Sequence, residues 1–322
     1  MLRIDWDIRI EGQKRWRLRL VERITVKRSA VHLADTATVV MPEHILNRPV
    51  DIAGKLAYGD HIRIQGGYNG KLMNLFDGYI TEIYQNGGQI RIYAEDAIFL
   101  FRKPVADKQF KPGRLRSVVE YVIQQIDPTY RLETDYDITW QNFVIRQASG
   151  YDVLKKIQEQ TKAHIWFDKD GKTLYIRPPY LNKNPRRVKY DFTRNIDSAN
   201  LEYRSNKDKK TEVIVEGTDA NGRIHVVRAG TTGGDQVKIK VGRMSTASMQ
   251  KLADTMLKNR QTDSYTGTFT GWLIPEVYPG DAVEIHDPDY PGRTAYYYVE
   301  TVETELSASG GKRKIKPGIK LQ

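Results

Sequence analysis

The chain of 322 residues has no cysteine. Disulfides, thiolate metal centres and cysteine nucleophiles are therefore excluded together. It also lacks any apolar run near the eighteen or so residues that a membrane helix needs, and no tripartite secretory signal opens it. The expectation is a soluble protein made in the cytoplasm, with no membrane insertion by this chain. Histidine is scarce, at positions 32, 44, 61, 164, 225 and 286, with none at His-x-x-x-His or similar ligand spacing. Acidic residues are absent from 312–322, which holds five Lys/Arg. Phe and Trp are few, at 8 and 5, against 19 Tyr, whose apolar body and polar tip suit half-buried strands and interfaces.

The net charge is +11, concentrated at the two ends: residues 1–30 carry nine Lys/Arg against four Asp/Glu. A general nucleic-acid binder spreads its basic residues along a groove or helix face, so this distribution argues against specific nucleic-acid binding. Both ends read as strands. Trp16, Leu18 and Leu20 alternate with Arg15, Arg17 and Arg19, and Lys312, Lys314 and Lys316 share a face by the same period of two. These six residues are candidates for a basic surface that faces a partner, or else are solvated strand faces that discourage edge pairing.

At this length two or three domains are expected. Short alternating runs separated by Gly, Asn and Asp fill residues 1–103 and imply a small β-barrel, with one helical turn in "PEHILNR". Residues 104–179 read as an α+β domain. One helix there starts at a Ser117/Glu120 capping box and buries Val118, Val119, Val122, Ile123 and Ile126; another starts near Ser149 and Asp152. A hairpin through Asp168 to Gly171 follows. Residues 180–322 return to strands, with a hairpin around Asp219 to Gly222 and one helix from Ser245 or Thr246. The fold class is thus mainly β, with two similar barrels flanking a helix-containing α+β domain.

"YGDHIRI" at 58–64 and "PGDAVEI" at 279–285 begin matching series of a strand, a long strand, a Gly-Gly turn and a closing strand. Gly59 to Tyr79 spans 20 residues and Gly280 to Val299 spans 19. Four matched elements in order point to an internal duplication, with Gly59-Asp60 and Gly280-Asp281 as its structural turns.

Candidate chemistry is sparse. "DKDG" at 168–171 starts like a calcium loop, but Pro179 stands where the twelfth-position acid belongs. "DPDYPG" at 287–292 reads as a surface turn. "AGTTGGD" at 229–235 leads into a strand without the Gly-Lys-Ser/Thr of a phosphate loop. No catalytic residue, cofactor or metal is expected. A carboxylate-pair hydrolase stays open, because such pairs meet in space rather than in sequence.

The order of "ADTATVVM", "YGDHIRI", "LFDGYITEI", "SVVEYVIQQI", "YDVLKKIQEQTKAHIWFDKDGKTLYI", "VIVEGTDANGRIHVV", "PGDAVEI" and "SASGGKRKI" resembles the baseplate hub proteins of contractile phage tails. These are the late control protein D and Mu-like tail hub family, similar also to the N-terminal part of type VI secretion spike proteins. The resemblance covers nearly the whole chain and rests on order and spacing. It implies a homotrimeric virion structural protein of the tail baseplate, assembled in the host bacterial cytoplasm. Three doubled subunits would form a pseudo-sixfold ring between a hexameric tail tube protein and a trimeric spike protein, beside other baseplate proteins. A cap or tip protein of a non-contractile tail and a tail-associated cell-wall hydrolase remain as alternatives. The chain is somewhat short for the family.

Overall fold

The computed structural model describes residues 3–45, 48–50, 52, 55–219 and 221–321. Alternating apolar and polar residues generate seven strands in the first segment: β1 (Ile4–Glu11), β2 (Arg15–Leu18), β3 (Arg23–Ser29), β4 (Thr36–Pro42), β5 (His61–Tyr68), β6 (Lys71–Asn86) and β7 (Gln89–Glu95). They pair antiparallel in the order β3-β4-β7-β6-β5-β1-β2. Ile24 and Val26 of β3 share one core with Ile8 and Ile10 of β1, at nearly opposite ends of that order. The sheet therefore curls on itself, and this is the first barrel. The helical turn expected over 42–48 is replaced by two short paired strands, His44–Ile45 and Arg48–Pro49, with residues 46 and 47 outside the described residues.

The middle segment holds α1 (Leu115–Ile126), α2 (Gly150–Thr161), β8 (His164–Phe167) and β9 (Thr173–Arg177). Helix α2 begins with the expected capping box: the Ser149 side chain accepts from the Asp152 N–H, and Asp152 accepts from the Ser149 N–H. In α1 the expected box is absent. The helix starts three residues earlier, with Arg114 rather than Ser117 at its N-cap, so Ser117 lies inside its first turn and does not cap it. The expected apolar face is buried through Val118, Val119, Val122 and Ile123, with Leu115 added.

The last segment contains β10 (Arg187–Asp191), β11 (Ile196–Arg204), β12 (Thr211–Thr218), β13 (Ile224–Gly230), β14 (Asp235–Lys240), α3 (Thr246–Arg260), β15 (Ser264–Trp272), β16 (Ala282–His286), β17 (Ala295–Ser307) and β18 (Gly310–Lys320). Six of these form the second barrel in the order β11-β15-β18-β17-β16-β10. Val188 and Tyr190 from β10 share its core with Ile196, Leu201 and Tyr203 from β11, the two ends of the order. Strand for strand this repeats β3-β4-β7-β6-β5-β1. The exception is the end strand: β1 is antiparallel to β5, whereas β10 is parallel to β16.

Strands β12 to β14 and α3 leave the second barrel between β11 and β15. They form a separate three-stranded sheet, and Val213, Val215, Met249 and Leu252 pack in the same core as Val118, Val122, Leu154 and Ile157. Among the described residues no helix is long and apolar enough to cross a membrane.

Candidate assembly surface

The two Gly-Asp turns are built alike to the level of single hydrogen bonds. Gly59 N–H donates to the Ile80 carbonyl at 2.8 Å, and Ile80 N–H donates to the Asp60 carbonyl at 2.9 Å. Gly280 and Val299 do the same at 2.9 Å, with Val299 N–H returning to the Asp281 carbonyl at 2.9 Å. Each carboxylate folds back on its own turn: Asp60 accepts from Ala57 N–H and Asp281 from Tyr278 N–H, both at 2.8 Å. Both glycines have positive φ, +87° and +85°, which side-chain-bearing residues adopt only with strain. The true equivalent of Val299 is thus Ile80, one residue beyond the Tyr79 expected from spacing. Directly after each, the strand carries a bulge at the same place, Ile80/Glu82 in β6 and Val299/Thr301 in β17. The closing turn of the second copy lies at 308–309, two residues earlier than the Gly310-Gly311 expected, because Ser307 pairs with Gly310 and both glycines belong to β18.

Beyond its bulge β17 leaves its own barrel edge and pairs with β3 of the first barrel, from Thr301 opposite Ser29 to Ser307 opposite Arg23. That junction makes one continuous wall of eight strands, β11-β15-β18-β17-β3-β4-β7-β6. Register places one polar row across it: Ser198, Thr270, Lys314, Glu303, Lys27, Thr36 and Glu95 stand successively opposite one another. The other face of the wall buries the cores of both barrels.

The six basic candidates fall in two places. Lys312, Lys314 and Lys316 are exposed on the polar face of the wall, as the alternation implies, while Arg313 between them turns inward and is 1% exposed. The lysines do not stand alone, since Lys312 reaches Asp197 at 2.8 Å and Lys316 reaches Glu300 at 2.8 Å. Glu303 and Glu305 lie opposite Lys314 and Lys312. Arg15 and Arg17 lie on β2, at the far end of the first barrel's strand order, and Arg19 follows just beyond it. The buried Asp7 accepts from Arg17 and from Arg9, the latter at 2.8 Å. Trp16 and Leu18 pack on the barrel core, but Leu20 is 52% exposed because the strand ends at Leu18.

Sequence reading missed a buried ionic group behind the wall. Arg28 of β3 reaches Asp35 at 3.2 Å and lies over the Tyr278 ring at 5.1 Å, tying the barrels together. Asp35 also accepts from Ser29 N–H at 2.8 Å, and Asp96 accepts from Ile98 N–H at 3.1 Å. Burial pushes both carboxyls up, Asp35 to about 6 and Asp96 well above the usual range, with the Asp35 charge adding to the rise at Asp96. A carboxyl with a raised folded-state pKa binds protons more readily folded than unfolded. Its contribution is therefore fully present below the ordinary carboxylate pKa and is lost as pH rises from there through the folded value. Asp96→Asn keeps an acceptor for Ile98 and removes the ionisation. The variant is expected to match or exceed the wild type by up to about 1 kcal/mol at pH 8, with a flatter stability profile in urea melts as pH rises above the ordinary carboxylate range of about 4. A clear loss at pH 8 would show that the Asp96 charge is needed.

The turns after β8 and around Asp287 are what sequence implies: Asp168 accepts from the Lys172 and Thr173 N–H groups, and Asp287 from those of Asp289 and Tyr290. Among the described residues no group of three or more His, Asp or Glu is placed to hold a metal ion. Residues 231–234 link β13 to β14, strand to strand, as the absence of a phosphate-loop pattern implies.

Among the described residues the arrangement is one of paired strands and open edges. A family model described as YQBQ-like matches residues 44–313. The chain belongs to the YQBQ-like family. No curated protein sequence matches it. Among solved structures, this YQBQ-like chain is similar to a tail protein from Neisseria meningitidis MC58, with a TM-score of 0.68, 16% identity, and coverage of 98% of this chain and 96% of that one. It is similar also to the 43 kDa tail protein of prophage MuSo2 from Shewanella oneidensis, with a TM-score of 0.65, 14% identity and 98% of both chains covered. A third is the E. coli c3393 protein, a type VI secretion system component with structural similarity to T4 bacteriophage tail proteins, at a TM-score of 0.61 and 9% identity, covering 98% of this chain and 77% of that one. At these identities the likeness is one of fold. The resemblance to tail hub and type VI spike proteins, drawn from segment order, holds at that level across nearly the whole chain.

Proposed function

We propose that this YQBQ-like protein is a non-enzymatic structural hub of a phage-type tail. In this reading three copies form a pseudo-sixfold ring that joins a hexameric tail tube to a trimeric spike. The observation that carries it is the repeated strand order, with its repeated Gly-Asp turn and bulge, joined through β17 and β3 into one wall. A closed interface between a sixfold and a threefold ring needs a part that repeats six times on one side and three times on the other. A doubled chain that trimerises supplies it. The tail proteins and the secretion component of like fold support the same location in a virion tail.

Within this reading the chain divides into two barrels, which form the ring, and a peripheral body made of the middle segment together with β12 to β14 and α3. Arg15 and Arg17 on the outer strand, with Arg19 just beyond its end, are proposed to face acidic partner surfaces, and Lys312, Lys314 and Lys316 to face the channel. The test is mass in solution by light scattering, followed by a view down the symmetry axis. Three times the 37.1 kDa chain mass is expected. Arg15→Gln/Arg17→Gln/Arg19→Gln is expected to leave that mass intact and to weaken salt-sensitive capture of purified tube or spike protein. Unchanged capture would leave the arginines as ordinary surface.

A further inference from the structure

Two strand edges of the wall have no neighbour among the described residues: the outer half of β6 and the free side of β11. They are the counterparts of the two edges that meet inside the chain. The shared turn and bulge make Glu82, Ile83, Tyr84 and Gln85 of β6 equivalent to Thr301, Val302, Glu303 and Thr304 of β17. Following register through β7/β18 and β4/β15 makes Ile24, Val26 and Lys27 of β3 equivalent to Ala199, Leu201 and Glu202 of β11.

Burial marks both edges as incomplete. Where β17 meets β3, Ile24, Val26, Val302 and Thr304 are all buried. At the open edges their counterparts are not: Ala199 and Gln85 are exposed, and Leu201 and Ile83 are only half-buried. Tyr84 is 52% exposed on the same stretch.

Resting on the ring reading above, we infer that the occupant of each open edge is a second copy of this chain. The β6 edge of one copy pairs antiparallel with the β11 edge of the next, repeating the β17–β3 register. The pairing seats Glu82 opposite Arg204, Ile83 opposite Tyr203, Tyr84 opposite Glu202, and Gln85 opposite Leu201. Its charges agree, since Glu82 meets Arg204 where the internal seam has Thr301 and Ser29. The contact is head-to-tail, so it propagates until the ring closes. It also removes the two exposed edges that would otherwise invite aberrant pairing.

The absence of native cysteine gives a clean test. Tyr84→Cys/Glu202→Cys copies the geometry of the internal Glu303 and Lys27 pair, whose side chains approach to 3.6 Å. Under mild oxidation it should yield covalent dimers and trimers on non-reducing gels, at least about tenfold above Tyr84→Cys/Leu201→Cys, because a one-residue slip turns the thiol to the other face. Lys27→Cys/Glu303→Cys, which bridges within one chain, calibrates the oxidation. As an independent arm, Arg204→Glu should lower the trimer fraction and Glu82→Arg should restore it in the double variant. A trimer by light scattering that neither cross-links at 84/202 nor responds to the charge swap overturns this seam and leaves the ring. A chain that stays monomeric at high concentration and does not cross-link overturns both.

Discussion

Gly280→Val is expected to destabilise the protein clearly more than Gly59→Val, although the two turns share every backbone hydrogen bond. Both residues sit at positive φ, where a β-branched side chain costs about 1–3 kcal/mol. At Gly59 that is nearly the whole effect, since an added Cβ would lie 3.7 Å from the Phe99 ring, an ordinary contact. At Gly280 the same atom would fall 2.9 Å from a ring carbon of Trp166. That ring is 8% exposed and stacked on Tyr175 at 5.4 Å, so it has little room to yield. Overpacking there adds about 1–3 kcal/mol to the strain. Denaturant melts should show both midpoints lowered at constant slope, the second by roughly twice the first. Wild-type stability in both variants would remove the account of the turns. Equal losses would show that Trp166 moves aside.

Acidification should weaken the protein through His164, and His164→Asn should blunt that loss. His164 opens β8 where the middle core meets the second barrel, 5% exposed and packed against the rings of Tyr180 and Tyr298. Its Nδ1 lies 3.0 Å from the Tyr298 hydroxyl and accepts from Tyr180 N–H at 3.4 Å. Burial pushes the imidazole down to about 3. The nearest carboxylate in this network, Glu300, is already engaged by the Tyr180 hydroxyl at 2.9 Å and by Lys316 at 2.8 Å.

The sign follows from the depressed value. The unfolded chain takes up a proton as pH falls below the ordinary histidine pKa, while the folded chain stays neutral until about pH 3. Stability is therefore lost progressively through that window, by about 2 kcal/mol between pH 7 and 5. The Asp35 and Asp96 pair acts in the opposite direction, so the measurement that isolates His164 is the difference between wild type and variant. Asn places an amide oxygen near the position of Nδ1 and does not titrate. Its melts should lose about 2 kcal/mol less on going from pH 7 to 5. Parallel profiles would mean that His164 is not held neutral.

Alternation and turn chemistry carried most of the local structure. Ser149 and Asp152 specify a helix start because both partners of the cap lie within one turn of chain. The Lys312, Lys314 and Lys316 face follows from the period of the strand alone. Ser117 and Glu120 misled, because the same cap pattern is harmless inside a first helical turn when Arg114 and Leu115 have already begun the helix. Leu20 misled in a similar way: its alternation continued past the point where β2 stopped pairing with β1.

By itself the sequence determined that the chain is built mostly of strands and contains the same Gly-Asp turn and strand series twice, because those features are read from period, positive-φ residues and spacing. Only the tertiary structure decided that β17 crosses to β3 and that α3, packed on β12 and β13, contributes to the same core as α1 and α2. It alone placed Arg28, Asp35 and Asp96 in one buried group. The reason is physical: a strand edge is backbone, identical in every sequence, and which edge it meets depends on where distant segments have already packed.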